Sequence, residues 1–151
     1  MTPEASAFWT GLEFRKPELL RLVEPLTSEQ MVWLPPGGAN SVAWLLWHIA
    51  EVEENWMGAS VYGEHRRYPF GNSVRDAVPD EYPSKQALID YLHEVRAITE
   101  RRLENVSADE FSRLLEDPNW GEIPVRQVWA GLVTSFAWHS GQISFMRRLM
   151  G

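Results

Sequence analysis

The segment Val125–Met150, VRQVWAGLVTSFAWHSGQISFMRRLM, decides the fold. Val125, Trp129, Leu132, Phe136, His139, Ile143, Met146 and Met150 recur at alternating intervals of four and three. That spacing places all eight on one side of a long helix and reads as a bundle seam. Seven are apolar. His139 is the one ionisable member, so the seam predicts an imidazole facing a core.

Working outward, three more segments carry helical periodicity. The spacing predicts a helix from Pro3 to about Leu26, opened by Thr2, Pro3 and Glu4 as cap, first position and first-turn acid. Phe8, Leu12, Leu19, Leu22 and Leu26 form its stripe. Arg15 falls on that stripe, and Pro17 is expected to kink the helix. LTSEQ and LPPGG then read as a breaker. A second helix is expected from Ser41 to Ala59 with Asn40 as its cap. Its first half, VAWLLWHIA, is apolar nearly all round, which marks a central helix. His48 lies within it. A third helix is expected from Ser84 to Asn105, with Leu88, Leu92, Val95 and Ile98 inward. Ser107–Glu110 reads as a capping box opening a short helical turn, and DPNWGEIP as a turn or short extended piece.

The stretch Gly58–Ser84 between the second and third helices is rich in Gly, Pro and charge. A connection of that length lets consecutive helices lie parallel. Four long helices, no convincing strand and 151 residues predict one all-α four-helix-bundle domain spanning residues 1–151.

The totals narrow the function. Net charge is −7 and the pI is near 5.1, which argues against non-specific nucleic-acid binding. The pairs Arg66-Arg67, Arg101-Arg102 and Arg147-Arg148 read as solvated faces. The chain has no Cys, so it supplies no thiolate of its own. No basic leader precedes an apolar run, and VAWLLWHIA is too short to span a bilayer. A soluble cytoplasmic protein is the expectation. Eight Trp provide large buried surfaces or an aromatic-lined cleft.

His48 and His139 therefore stand on the buried faces of two separate helices. Facing helices of a bundle build metal sites, and neutral imidazole is a common ligand. A catalytic metal takes about three protein ligands and an open position. Neither helix offers a second His four residues away. The remaining candidates are Glu51 at i+3 from His48, His65 in the crossover, and the hydroxyl of Ser135. His93 reads as a solvated helix residue. The run Glu51, Glu53, Glu54 reads as a solvated helix edge, and Arg15 as a possible holder of a substrate carboxylate.

Three stretches carry a family resemblance: NSVAWLLWHIAEVEENW, the preceding LTSEQMVWLPPGGANS, and FAWHSGQISFMRRL. Together they resemble the DinB-like (YfiT-like) superfamily over nearly the whole chain. The last is similar to that family's His-x-x-x-His-Arg-Gly-Gln ending. The resemblance implies an up-down-down-up bundle, often a homodimer, and a divalent metal such as zinc or nickel. It implies one ligand on the second helix, matched by His48, and two on the fourth, the second matched by His139. Gly141 and Gln142 match the Gly-Gln. Ser135 stands where the first fourth-helix His is expected, and Ser140 where the Arg is. Characterised relatives include mycothiol-dependent maleylpyruvate isomerase and transferases using bacillithiol-type thiols. The expectation is a metal-dependent transferase, hydrolase or isomerase using a low-molecular-weight thiol. The alternative is a non-catalytic dimeric binder of a small ligand with a degenerate metal site.

Overall fold

The computed structural model describes residues 1–38 and 40–151. The chain forms α1 (Pro3–Glu13), α2 (Lys16–Val23), α3 (Ser28–Val32), α4 (Val42–Asn55), α5 (Lys85–Asn105), α6 (Ala108–Ser112) and α7 (Val125–Met150). A π-helical turn, Trp56–Val61, extends α4, and a short hairpin, β1 (Leu114–Asp117) with β2 (Gly121–Pro124), precedes α7.

Contacts along the helices set their directions. Glu4 meets Arg126, Phe8 stacks on Trp129 and Gly11 abuts Val133, so α1 runs parallel to α7. Trp56 meets Gly131 and His48 meets His139, so α4 runs antiparallel to α7. Trp47 meets Tyr82, Glu53 meets Arg96 and Gly58 approaches Arg102, so α4 and α5 are parallel. The order is up-down-down-up, as the long crossover predicts.

The expected first helix is divided. Thr2 Oγ1 accepts from the Ala5 N–H as cap, but α1 ends at Glu13 and α2 begins at Lys16. Pro17 lacks an N–H, and its ring conflicts with the carbonyl four residues earlier. The break takes Arg15 off the apolar stripe. Its side chain is 55% exposed and pairs with Glu18 at 2.6 Å, and it lines a cavity with Ser140 and Gly141 of α7. The expected breaker LTSEQ instead holds the start of α3, opened by a capping box between Thr27 and Gln30. The cap of α4 is Ser41, not Asn40: its Oγ accepts from the Trp44 N–H at 3.2 Å. DPNWGEIP forms a hairpin turn and its second strand, so the described residues are helical with one strand pair. Asp117 Oδ1 accepts from the N–H groups of Asn119 and Trp120, and Gly121 supplies the left-handed residue with φ of 70°.

The largest correction concerns Glu51, Glu53 and Glu54. All three are held by partners. Glu51 accepts from Ser73 Oγ at 2.9 Å and from the Val74 N–H at 3.2 Å. This pins the crossover against α4 and buries Val74. Glu54 accepts from the Tyr91 hydroxyl at 2.5 Å and pairs with Arg67. Glu53 is 1% exposed and accepts from Nε and Nη2 of Arg96, itself 1% exposed. Arg96 Nη1 also donates to the Leu12 carbonyl at 2.7 Å and to Glu13 at 2.8 Å. The guanidinium lies 4.7 Å from the Phe136 ring centroid. One side chain thus ties α5 to α1, α4 and α7.

Removing one member of such a pair strands the other charge inside the protein. Arg96→Met is expected to lower unfolding free energy by about 3–5 kcal/mol, measured by urea denaturation. Adding Glu53→Leu to it is expected to recover a substantial part. Equal loss in the single and double variants would refute this account.

Candidate functional site

The apolar girth of α4 fixes His48 in the interior, and the α7 seam brings His139 opposite. The two ring centroids are 4.8 Å apart with planes at 86°. Trp44, one turn before His48, stacks on it at 4.6 Å and 22°. His48 is 9% exposed, whereas His139 is half-buried. The two residues singled out from opposite ends of the sequence therefore meet edge to face.

Burial and neighbouring charge set the protonation of His48. Burial, then the neighbouring His139, then Arg75 lower the pKa of His48 from the ordinary imidazole value of 6.5 to about 4. His48 is thus neutral near pH 7 and offers a lone pair. His139 Nδ1 lies 2.6 Å from Gln142 Oε1. An amide oxygen only accepts, so Nδ1 is the donor in this bond and Nε2 is the ring nitrogen left to face His48 and any ligand. Gln142, one turn on at i+3, acts as a brace on the ring.

The candidate third ligands are engaged elsewhere or are weak donors. Both carboxylate oxygens of Glu51 are engaged by the crossover. His65 is exposed and lines a cavity shared by α4 and α5. His93 is exposed, as expected of a solvated helix residue. Ser135, one turn before His139, is half-buried but offers only a neutral hydroxyl. Among the described residues no cluster of three or more His, Asp or Glu forms. Two imidazoles fall short of the roughly three protein ligands of a catalytic metal site, so the donor set of one chain does not fit a complete centre.

Trp44, Arg75 and the bracing role of Gln142 were missed in the sequence. Trp44 and Gln142 stand at i−4 and i+3 from their histidines, spacing that signals same-face contact. Arg75 carries no such signal, because its charge acts on His48 from a crossover whose path depends on Glu51.

Against this geometry stand the comparisons. The family model of the DinB superfamily matches residues 12–143. The chain belongs to the DinB superfamily. The crystal structure of a conserved protein from Enterococcus faecalis is similar over 95% of each chain, with a TM-score of 0.78 and 20% sequence identity. That likeness shows the bundle fold. No curated protein matches the chain at a significant level. No helix among the described residues is long and apolar enough to cross a membrane.

The lowered His48 pKa has a signed consequence. The unfolded chain takes up this proton near pH 6.5, the folded chain only near pH 4. The stabilising contribution is present above the unfolded value and is lost as pH falls toward 4. Urea midpoints measured between these limits are expected to decline less steeply in His48→Gln than in the wild type. Identical slopes would contradict the burial of a neutral imidazole.

Proposed function

We propose that this DinB-superfamily protein binds a small molecule at the His48–His139 pair, with the two imidazoles acting as neutral hydrogen-bonding groups in a degenerate metal site. The observation that carries this reading is the dispersal of the donor set. Glu51 is spent on the crossover, His65 faces another cavity, and serine occupies position 135. Trp44 supplies an aromatic wall at one edge of the pair, suited to a flat or apolar portion of a ligand.

A second reading, a metal-dependent transferase, hydrolase or isomerase using a low-molecular-weight thiol, is favoured by one feature. Gln142 braces His139 by its Nδ1–H, the outer-shell bond that metal-ligating histidines make. His48 and His139 would hold a zinc or nickel ion, which would stabilise a thiolate brought by the cofactor.

Metal content separates the two. Protein purified without an affinity tag or chelator is expected to carry well under one equivalent of zinc or nickel by mass spectrometry. Ser135→His is expected to bind zinc at least about 100-fold more tightly than wild type, because it supplies the third imidazole. Stoichiometric metal in the wild type, lost in His48→Ala, would reverse the order of the readings.

The expected homodimer also belongs to this proposal. Trp138, Phe145 and Leu149 are 68%, 60% and 49% exposed and recur at intervals of seven and four along the outer side of α7. An apolar stripe of this kind marks an interaction face. Sedimentation analysis of the wild type is expected to give a dimer, and Trp138→Glu with Phe145→Glu a monomer. An unchanged mass would remove this stripe from the interface.

A further inference from the structure

The histidine pair has a cation near it, carried on an anchored turn of the crossover. Glu51, one turn after His48, accepts from Ser73 Oγ at 2.9 Å and from the Val74 N–H at 3.2 Å. Val74 is fully buried. The N–H groups of Asp76 and Ala77 both donate to the Ser73 carbonyl at 3.1 Å. The backbone on either side of Arg75 is thereby held against α4. Among the described residues Arg75 donates one hydrogen bond, from its backbone N–H to Ser73 Oγ at 3.4 Å. Its side chain is exposed and pairs with no carboxylate, whereas Arg15, Arg67, Arg96, Arg102, Arg113 and Arg126 each do.

His48 is the second unpartnered group. It is 9% exposed, yet its ring makes no hydrogen bond among the described residues; Gln142 serves His139 alone. The polar side-chain atoms that are sealed without a partner lie elsewhere, on Trp47, Asn55, Thr99, Trp129, Ser140 and Arg147. The ring nitrogens of His48 therefore keep an opening through which a ligand's donor can reach them. Trp44 stacks on the same ring and is only half-buried. The charge around this opening is positive. The chain holds 21 acidic residues against 14 Lys and Arg, but the ionisable neighbours that act on His48 are His139 and Arg75, and no carboxylate offsets them. An anchored cation that meets no anion of its own chain attracts one from outside.

We propose that the histidine pair takes a flat aryl carboxylate bearing a hydroxyl, with Arg75 holding the carboxylate and His48 accepting from the hydroxyl. This rests on the pair being a small-molecule site, and gives its ligand a charge and a shape. Guanidinium matches a carboxylate with two parallel hydrogen bonds. One cation suits a monoanion. A neutral imidazole has one ring nitrogen that accepts, which a hydroxyl satisfies. The Trp44 ring takes the flat body between the two polar ends.

Amide chemical shifts of the full chain, titrated with para-hydroxybenzoate, phenol, benzoate and tyramine, test this. The probes carry a hydroxyl with an anion, a hydroxyl alone, an anion alone, and a hydroxyl with a cation. Para-hydroxybenzoate is expected to shift amides around His48 and Arg75 and to bind at least about tenfold more tightly than phenol or benzoate, the worth of one charged hydrogen bond. Tyramine is expected to bind more weakly than phenol. Arg75→Gln changes an exposed side chain; it is expected to reduce para-hydroxybenzoate to the affinity of phenol and to leave phenol unchanged. His48→Phe keeps a flat ring without nitrogens; it is expected to reduce para-hydroxybenzoate to the affinity of benzoate. Unchanged para-hydroxybenzoate binding in Arg75→Gln overturns the proposal, as does equal affinity of the wild type for phenol and para-hydroxybenzoate. In either case phenol binding that is lost in His48→Phe leaves the pair standing as a small-molecule site. Phenol and para-hydroxybenzoate binding that His48→Phe does not alter removes both. Failure of para-hydroxybenzoate to bind the wild type overturns the proposal alone.

Discussion

The bundle turns on one buried cation. Arg96 has almost no contact with water, yet each nitrogen of its guanidinium donates a hydrogen bond to Glu53, Glu13 or the Leu12 carbonyl. A charge in that position is tolerable only when its partners are fixed in advance. The pairing therefore constrains the register of α1, α4 and α5 together, and the face of Phe136 adds α7. Apolar seams alone tolerate sliding by a turn, since one leucine packs much like another. A bidentate ion pair does not, because a slip of one turn would leave both charges without partners. Fixing α4 against α5 in this way also fixes which of its sides are left for other work.

That division of α4 explains why one short helix carries so many polar groups. Successive residues are rotated by about 100°, so positions 48, 51, 53 and 54 point in different directions. His48 looks toward α7, Glu51 toward the crossover, Glu53 into the charge centre, and Glu54 toward Tyr91 and Arg67. Each of the three carboxylates anchors a different structural neighbour. None is left over to act as a base or a ligand at the histidine pair.

What could be read from the sequence follows from how local each signal is. α5 and α7 were legible because their periodicity lies within a single helix. His48 and His139 were legible because an imidazole on an apolar stripe is conspicuous. The DinB superfamily was legible from three stretches spread along the chain. Arg96 left a trace, since it stands with Leu88, Leu92, Thr99 and Leu103 on one seam of α5. A pattern of apolar residues alone passes over that trace and takes Ile98 as inward, whereas Ile98 borders a cavity. Glu51, Glu53 and Glu54 were misread for the same reason: their partners lie between 13 and 43 residues away in the chain, beyond any local pattern. The break at Arg15 and the cap at Ser41 differ from expectation by a residue or two, the usual limit on helix ends.

The histidine pair then has to be understood as a local electrostatic balance. Two imidazoles this close disfavour a second positive charge, and Arg75 adds to the penalty on His48. Gln142 engages the one ring nitrogen of His139 that would otherwise compete as a donor inside the pair. His48 consequently presents a lone pair, and among the described residues no third His, Asp or Glu gathers with the two rings to complete a cation site. A site with this polarity attracts donors: a hydroxyl, an amine, a thiol or a metal ion. Which of these it holds firmly depends on the number of further ligands within reach. Position 135 adds little to that number, because its serine offers only a neutral hydroxyl.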